Sequence, residues 1–274
     1  MKEKELFIRS RMESRVCNML VYILGVIWLF PVYSALRNSL RFNGLGNYAY
    51  ILTHTMNGIT IYRAYLNSLI IAAGHASLVL LIGAAAAFAF SKIRFTGKEV
   101  LYYFILMCLA IPGTAILVPV FITLKKTGLY NTYWAVILPE VTLTLPFAVM
   151  MLRNYYDGIP DDMMESAHID GAGLWTVFTR IYIPMAQPAL INLGVLCVMW
   201  SFQDFLLPLM FLTKKGLTTA TAAVSTFKNL MGFTANDIGY YNASLVLLAV
   251  PSLLVLATAQ RYIRLGITSG SVKG

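Results

Sequence analysis

Two acids stand inside long apolar stretches of this sequence: Glu140 between Pro139 and Val141, and Asp204 between Gln203 and Phe205. A carboxylate in such surroundings is expensive to bury. It serves as a proton-coupling group, as an acceptor for solute hydroxyls, or as a hydrogen-bond partner of a neighbouring helix. Tyr133 and Trp134 precede Glu140, and Trp200, Phe202 and Phe205 surround Asp204. These rings suit stacking on a solute and equally suit a packed core or an interfacial belt. A second polar group, the insert 161–173, separates two apolar stretches. Asp162 followed by Glu165 predicts a capping-box-like helix start, and Gly171 and Gly173 suit the left-handed turn that stops a helix. Ser166, Ala167, Gly171, Ala172 and Gly173 are small enough to admit another backbone, while Glu165 and Asp170 can anchor it through charge-assisted hydrogen bonds. Leu174, Trp175, Val177, Phe178 and Ile181 then predict a second short helix with one apolar face, which Pro184 ends. The outcome is an L of two helices, either a docking surface or an amphipathic loop lying on a membrane.

The elements that must position these groups are membrane helices. Hydrophobic residues make up 58% of the chain and charged residues 12%, and a bilayer span needs about 20 apolar residues. Six runs qualify, at 16–36, 66–91, 99–124, 132–152, 185–212 and 242–262, so the fold class is an all-α polytopic membrane protein with six transmembrane helices. An even number places both termini on one side. Basic residues on that side are Lys2, Lys4, Arg9, Arg11 and Arg15 in the N-terminal tail, Lys92, Arg94 and Lys98 in the next turn, Arg153 and Arg180 around the insert, and Arg261, Arg264 and Lys273 at the C-terminus. They outnumber Arg37, Arg41, Arg63, Lys125, Lys126, Lys214, Lys215 and Lys228 on the other side. The positive-inside rule therefore places the termini and the insert in the cytoplasm. Gly74, Gly83 and the run 84–87 give the second span a small-residue face, and Pro112, Pro119, Pro139 and Pro146 kink the third and fourth.

Several functions are excluded on the same grounds. The net charge of +9 comes from loops without a recognition module, so no nucleic-acid partner is expected. The first apolar run is full length and is read as a retained span, not a cleaved signal. Cys17, Cys108 and Cys197 lie in spans without metal-ligand spacing and are read as small core residues; His54, His75 and His168 are scattered, so no metal site is expected. There is no Gly-x-x-x-x-Gly-Lys-Ser/Thr loop, so the chain hydrolyses no ATP itself. A proton relay would bring a basic or histidine partner to the depth of Glu140 and Asp204, roughly 12 Å below the outer surface, and the sequence offers none. Acceptance of sugar hydroxyls fits these acids better.

Glu165-Ser166-Ala167, Gly171 after three residues, and Ile181-Tyr182-Ile183-Pro184 after nine more resemble the EAA loop of bacterial ABC importer permeases. Ser166 and Ile183 stand where Ala and Leu are usual. Ile111-Pro112-Gly113, Leu145-Pro146-Phe147, Gln203-Asp204-Phe205, the stretches 90–98 and 129–135, and the tail ending Val272-Lys273-Gly274 are similar to the carbohydrate-uptake branch, typified by the second permease of the maltose transporter. Glu140 departs from the aromatic or apolar residue usual there, and Gln203 from the usual Asn. The resemblance implies a type I importer permease (MetI-like) fold with a cytoplasmic L-shaped coupling helix. The implied divisions are a cytoplasmic tail over 1–15, a first span over 16–36, a five-helix core over 62–265 with the coupling loop at 157–184, and a cytoplasmic tail over 266–274.

It further implies a multi-pass subunit of the bacterial cytoplasmic (inner) membrane. Its partners would be a homologous second permease, two cytoplasmic ATPase subunits that bind the ATP and Mg, and an extracytoplasmic solute-binding protein that delivers a carbohydrate. Glu165, Ser166, Ala167, Asp170, Gly171, Ala172 and Gly173 would couple to the ATPase, and Glu140, Trp200, Gln203, Asp204 and Phe205 would face the substrate path. The alternatives are an ABC permease for a non-sugar solute and an ion-coupled transporter using Glu140 and Asp204.

Overall fold

The computed structural model describes residues 11–56, 58–230 and 235–270, in two compact units. The first holds α1 (Arg11–Ser39), α2 (Gly46–Thr53) and the start of α13 (Ala235–Gly270). α1 is long and apolar enough to cross a bilayer, and its Trp28, Tyr22 and Val26 side chains are exposed, as lipid-facing residues are. Buried Asn47 donates to the carbonyls of Ser39 and Arg41 at 2.8 and 2.9 Å, closing the chain reversal after α1. α13 meets this reversal through Gly239, where a Cβ would come within 2.5 Å of the Asn47 amide and 2.9 Å of the Arg41 carbonyl. Tyr50 stacks on Tyr240 beside it, ring centroids 4.0 Å apart.

The second unit begins with a short hairpin, β1 (Thr55–Met56) antiparallel to β2 (Ile59–Thr60), which leads into α3 (Ile61–Lys92). There follow α4 (Lys98–Met107), α5 (Leu117–Lys126), α6 (Trp134–Asp157), α7 (Asp162–Ile169), α8 (Leu174–Val177), α9 (Ile183–Met185), α10 (Gln187–Gln203), α11 (Leu206–Phe211) and α12 (Ala220–Leu230). Its core is the packing of α6 and α10 onto α3. Small residues permit it, because a Cβ on Gly83 would stand 3.2 Å from that of Ala148, and one on Gly74 would stand 2.8 Å from Ile137. Close backbone approach of this kind is how membrane helices gain contact without a hydrophobic driving force. Phe88, Tyr156, Phe178 and Tyr182 fill the end of the bundle that carries the insert, with ring centroids 5.0–6.4 Å apart.

Two expected spans are not continuous. The third, at 99–124, bends by 91° between Lys98–Ala110 and Gly113–Lys126. Pro112 holds Ile111 and itself in extended backbone, and the flanking turns tighten to 3-10 geometry, as a proline and its restricted predecessor dictate. The fifth, at 185–212, stops at Gln203; Asp204 is extended, and α11 begins two residues later. Asp204 therefore sits at a helix break and not within a helix. α1, α3, α6 and α13 remain unbroken candidates to cross a bilayer. Of the three cysteines only Cys197 belongs to the core, since Cys17 and Cys108 are exposed. The tail residues 1–10 and 271–274 lie outside the described residues.

Candidate functional site

Polar chemistry gathers at two places in the second unit, an exposed elbow after α6 and a cavity near the other end of that helix. The elbow begins where α6 ends. Lys92, at the end of α3 and only 6% exposed, donates to the Ile159 carbonyl at 2.7 Å and to the Asp161 carboxylate at 2.6 Å. That hydrogen bond and the Lys92 charge, helped by Arg94 and Lys98, hold the Asp161 carboxyl below its ordinary range. Ser91 donates to Asp157 at 2.6 Å, and Arg153 pairs with Glu99 at 2.8 Å. The base of the elbow is thus tied to α3 and α4.

No side-chain cap forms at the start of α7, which corrects the expected capping box. Asp161 occupies the cap position and its carboxylate is taken by Lys92; Asp162 and Glu165 remain as exposed acids in the first turn, where the helix dipole favours them. The end of α7 has the expected stop. Gly171 lies at φ +80°, its N–H donates to the His168 carbonyl at 3.0 Å, and that of Ala172 donates to Ala167 at 2.9 Å. This pair of bonds is the Schellman pattern. Gly173 is not left-handed; it is extended and precedes α8. The second arm runs past Pro184, since a π-turn over Phe178–Tyr182 joins α8 to α9 and the 75° bend comes between Met185 and Gln187.

Val177 and Phe178 pack inward from this arm, whereas Trp175 is 73% exposed and Leu174 is exposed. Trp175 therefore leaves the apolar face that its spacing assigned to it. Ile169, at the tip of α7, is 87% exposed. Its signal in the sequence is an apolar residue wedged between His168 and Asp170. Ser166, Asp170 and Gly171 are exposed beside it, and Ala167 and Ala172 are half-buried. A groove of about 520 Å³ runs between the arms, lined by Met163, Ser166, Ala167, Asp170, Arg180 and Pro184 among others. Large apolar side chains and acids are thus exposed side by side on the elbow.

The cavity, of about 470 Å³, is an open one bordered by α3, α6, α10, α11 and the break in the third span. Glu140, Asp204 and Trp200 all line it; Gln203 and Phe205 are exposed and do not. Glu140 is 6% exposed; its carboxylate oxygens are shielded and make no bond of good hydrogen-bond geometry, with Ser201, Asp204 and His75 as their polar neighbours. Asp204 uses one oxygen to accept from the Leu206 N–H at 2.9 Å, capping α11, and its other oxygen is buried and unpaired. The Ser201 hydroxyl between them is also unpaired. Pro112, Gly113 and Thr114 contribute irregular backbone to the wall. Such backbone is tolerated at membrane depth where it lines a cavity.

His75 corrects the expectation that no histidine reaches this depth. It is buried with Nδ1 3.7 Å from Glu140 Oε2, 3.2 Å from the Cys197 carbonyl, and Nε2 3.0 Å from the Thr144 hydroxyl. A carbonyl only accepts, so Nδ1 carries hydrogen and the Thr144 hydroxyl can donate to Nε2; a neutral ring completes the network. Counting nine residues from the expected span start at 66 puts His75 roughly 13 Å deep, close to Glu140, and that count is the signal that finds it.

The bundle thus carries an exposed helical elbow and a cavity with two acids in its lining, and it can be set beside known proteins. The chain is 28% identical to the diacetylchitobiose uptake system permease protein NgcG of Streptomyces coelicolor, over 96% of this chain and 90% of that one. It is 32% identical to the trehalose/maltose transport system permease protein MalG of Thermococcus litoralis, over 78% of this chain and 76% of that one. Its fold matches a chain of a bacterial ABC transporter involved in import of the acidic polysaccharide alginate, at a TM-score of 0.78 and 18% identity, covering 93% of this chain and 99% of that one. The protein is thus a multi-pass, mostly helical transport subunit with the MetI-like permease fold. Residues 79–268 match the corresponding family model, and the chain belongs to the binding-protein-dependent transport system inner membrane components, the permeases of ABC importers.

Proposed function

We propose that this permease translocates a carbohydrate delivered by an extracytoplasmic binding protein, and that two cytoplasmic ATPase subunits, which hold the ATP and Mg, drive it through the elbow. A homologous second permease completes the pathway. Both termini and the elbow lie on the cytoplasmic side of a bacterial inner membrane, in keeping with the basic residues of that side. The observation that carries the sugar reading is the cavity, whose lining brings Glu140, Asp204 and Ser201 together with the Trp200 ring. Carboxylate acceptors beside an aromatic face complement a polyol, which offers hydroxyl donors on its edge and C–H groups on its faces. Relatives named for diacetylchitobiose and trehalose/maltose uptake support the same class.

Glu165, Ser166, Ala167, Asp170, Gly171, Ala172 and Gly173 form the coupling surface, to which Ile169 and Trp175 add apolar anchors. Rigidity is what the coupling requires. Within α6, Asp157 stands 17 positions beyond Glu140, roughly 25 Å of helix, so movement of the elbow would reach the cavity through one element. The test is a mild-detergent purification of this chain from its native membrane, wild type against Glu165→Ala. An ATPase and a second permease that copurify with wild type and are weakened by the substitution support the reading. A chain that purifies alone in both forms contradicts it.

A further inference from the structure

Eight basic residues fall in the segments 37–65, 125–131 and 213–241, which the proposed orientation places outside, where the positive-inside rule leaves few. The cytoplasmic segments 1–15, 92–99, 153–184 and 261–274 mix their basic residues with nine acids, whereas the outer segments hold one, Asp237. By net charge the outside is therefore the more positive face. Within the second unit the outer segments contain no acid at all, and Arg63, Lys125, Lys126, Lys214 and Lys215 are exposed there. The chain between α11 and α12 turns through Lys215–Leu217 in 3-10 geometry, and side chains behind it fix that turn. Buried Asn67 of α3 donates to the Gly216 and Thr218 carbonyls at 3.0 and 2.9 Å, and its own carbonyl accepts from the Tyr133 hydroxyl at 2.8 Å. The Asn131 carbonyl oxygen accepts from the N–H groups of Thr213 and Lys214 at 2.6 and 3.1 Å. Arg63 Nε stands 3.5 Å from the Gly216 carbonyl, and Lys125 Nζ lies over the Tyr130 ring beside Asn131, 5.4 Å from its centroid. The cations thus belong to one connected patch.

We propose that the Lys214–Lys215 turn and the cations around it are a preorganised docking contact for a solute-binding protein that presents an acidic face, the orientation and the partner being those of the function proposed above. Adjacent like charges repel, and an anionic surface laid over them relieves that repulsion. A backbone already bound from behind by Asn67 and Asn131 adds no ordering cost when the surface arrives. The fixed geometry also decides the kind of partner. A mobile lipid headgroup adapts to any arrangement of cations, whereas a folded protein surface meets fixed charges in one register.

The experiment uses the binding protein that stimulates ATP hydrolysis by the purified complex containing this chain. Its association with that complex, held in discs of zwitterionic lipid, is timed at low salt and at about 1 M salt, where charges are screened beyond about 3 Å. Wild type should associate about ten-fold faster at low salt. Lys214→Glu combined with Lys215→Glu should slow the low-salt rate about ten-fold and remove most of the salt dependence. Asn131→Gly keeps every charge and the left-handed backbone but removes the bonds to the turn, so it should retain the salt dependence and speed dissociation about three-fold. Recovery of the ATPase with each variant shows that it is assembled. Association that ignores both salt and charge reversal overturns the docking contact and leaves the carbohydrate permease standing. Faster association after charge reversal overturns the acidic face of the partner. If no extracytoplasmic protein stimulates the complex, the proposed function and the docking contact fail together.

Discussion

The elbow and the cavity are built from opposite materials. The elbow is local. Ten consecutive residues, from Asp162 to Gly171, make a helix and its stop with bonds between near neighbours. Its exposed side chains have work only if something else covers them. The cavity is assembled from residues far apart in sequence, with His75 from α3, Glu140 from α6, Ser201 from α10 and Thr114 from the break in the third span. A local device can be moved as a unit, and a non-local one senses any shift between the helices that form it. On the proposed reading, force received at the elbow would change solute access at the cavity, with α6 as the shared part.

The sharpest way to break this comparison is Gly171→Val. Open space surrounds the position, so no clash results, but a β-branched residue at φ +80° costs at least about 1–2 kcal/mol. The variant should insert normally and lose solute-stimulated ATP hydrolysis, measured on the reconstituted complex; full stimulation would detach the elbow from coupling. Next in size is Trp175→Ala. Removing an exposed aromatic anchor should cost about 2 kcal/mol of ATPase docking, roughly thirty-fold in affinity, read by titrating the ATPase onto the permease. Wild-type affinity would place Trp175 in the lipid interface instead.

Glu140→Gln should lower solute uptake by about ten-fold, a charge-assisted hydrogen bond reduced to a neutral one, while copurification with the ATPase stays intact. That contrast with Trp175→Ala is the comparison in its simplest form. The smallest effect belongs to Asp161. Its folded carboxyl titrates below the unfolded value, so the Lys92 contact contributes stability that is complete above the ordinary carboxylate range, near pH 4, and is lost as pH falls through the lowered folded value. Thermal melts of wild type and Asp161→Asn should differ slightly at neutral pH and converge in acid. A difference that persists at the lowest pH would assign the contact to packing.

The same division explains what could be read from the sequence. The elbow was legible because its information is local: Gly171 and the small residues around it announce a helix stop wherever they occur. The capping box at Asp162 and Glu165 failed because a distant residue, Lys92, claims the acid at the cap position, and Trp175 failed because periodicity fixes a helix face without saying which residues a short arm leaves uncovered. In the cavity, apolar run length located Glu140 and Asp204. It could not show that Pro112 bends its span by 91° or that Asp204 ends one. His75 stood at a readable depth, but its approach to Glu140 depends on how α3 turns against α6, where Gly74 and Gly83 admit Ile137 and Ala148 closely.

The central claim is that carbohydrate entering the cavity moves only when ATP is hydrolysed at partners held by the elbow. It is tested most directly by sugar uptake into vesicles containing the purified complex, with ATP hydrolysis followed in the same sample. Wild type should take up sugar only with ATP, and Gly171→Val should lose uptake and stimulated hydrolysis together. Uptake that proceeds without ATP, driven by an ion gradient and abolished by Glu140→Gln, would contradict the account.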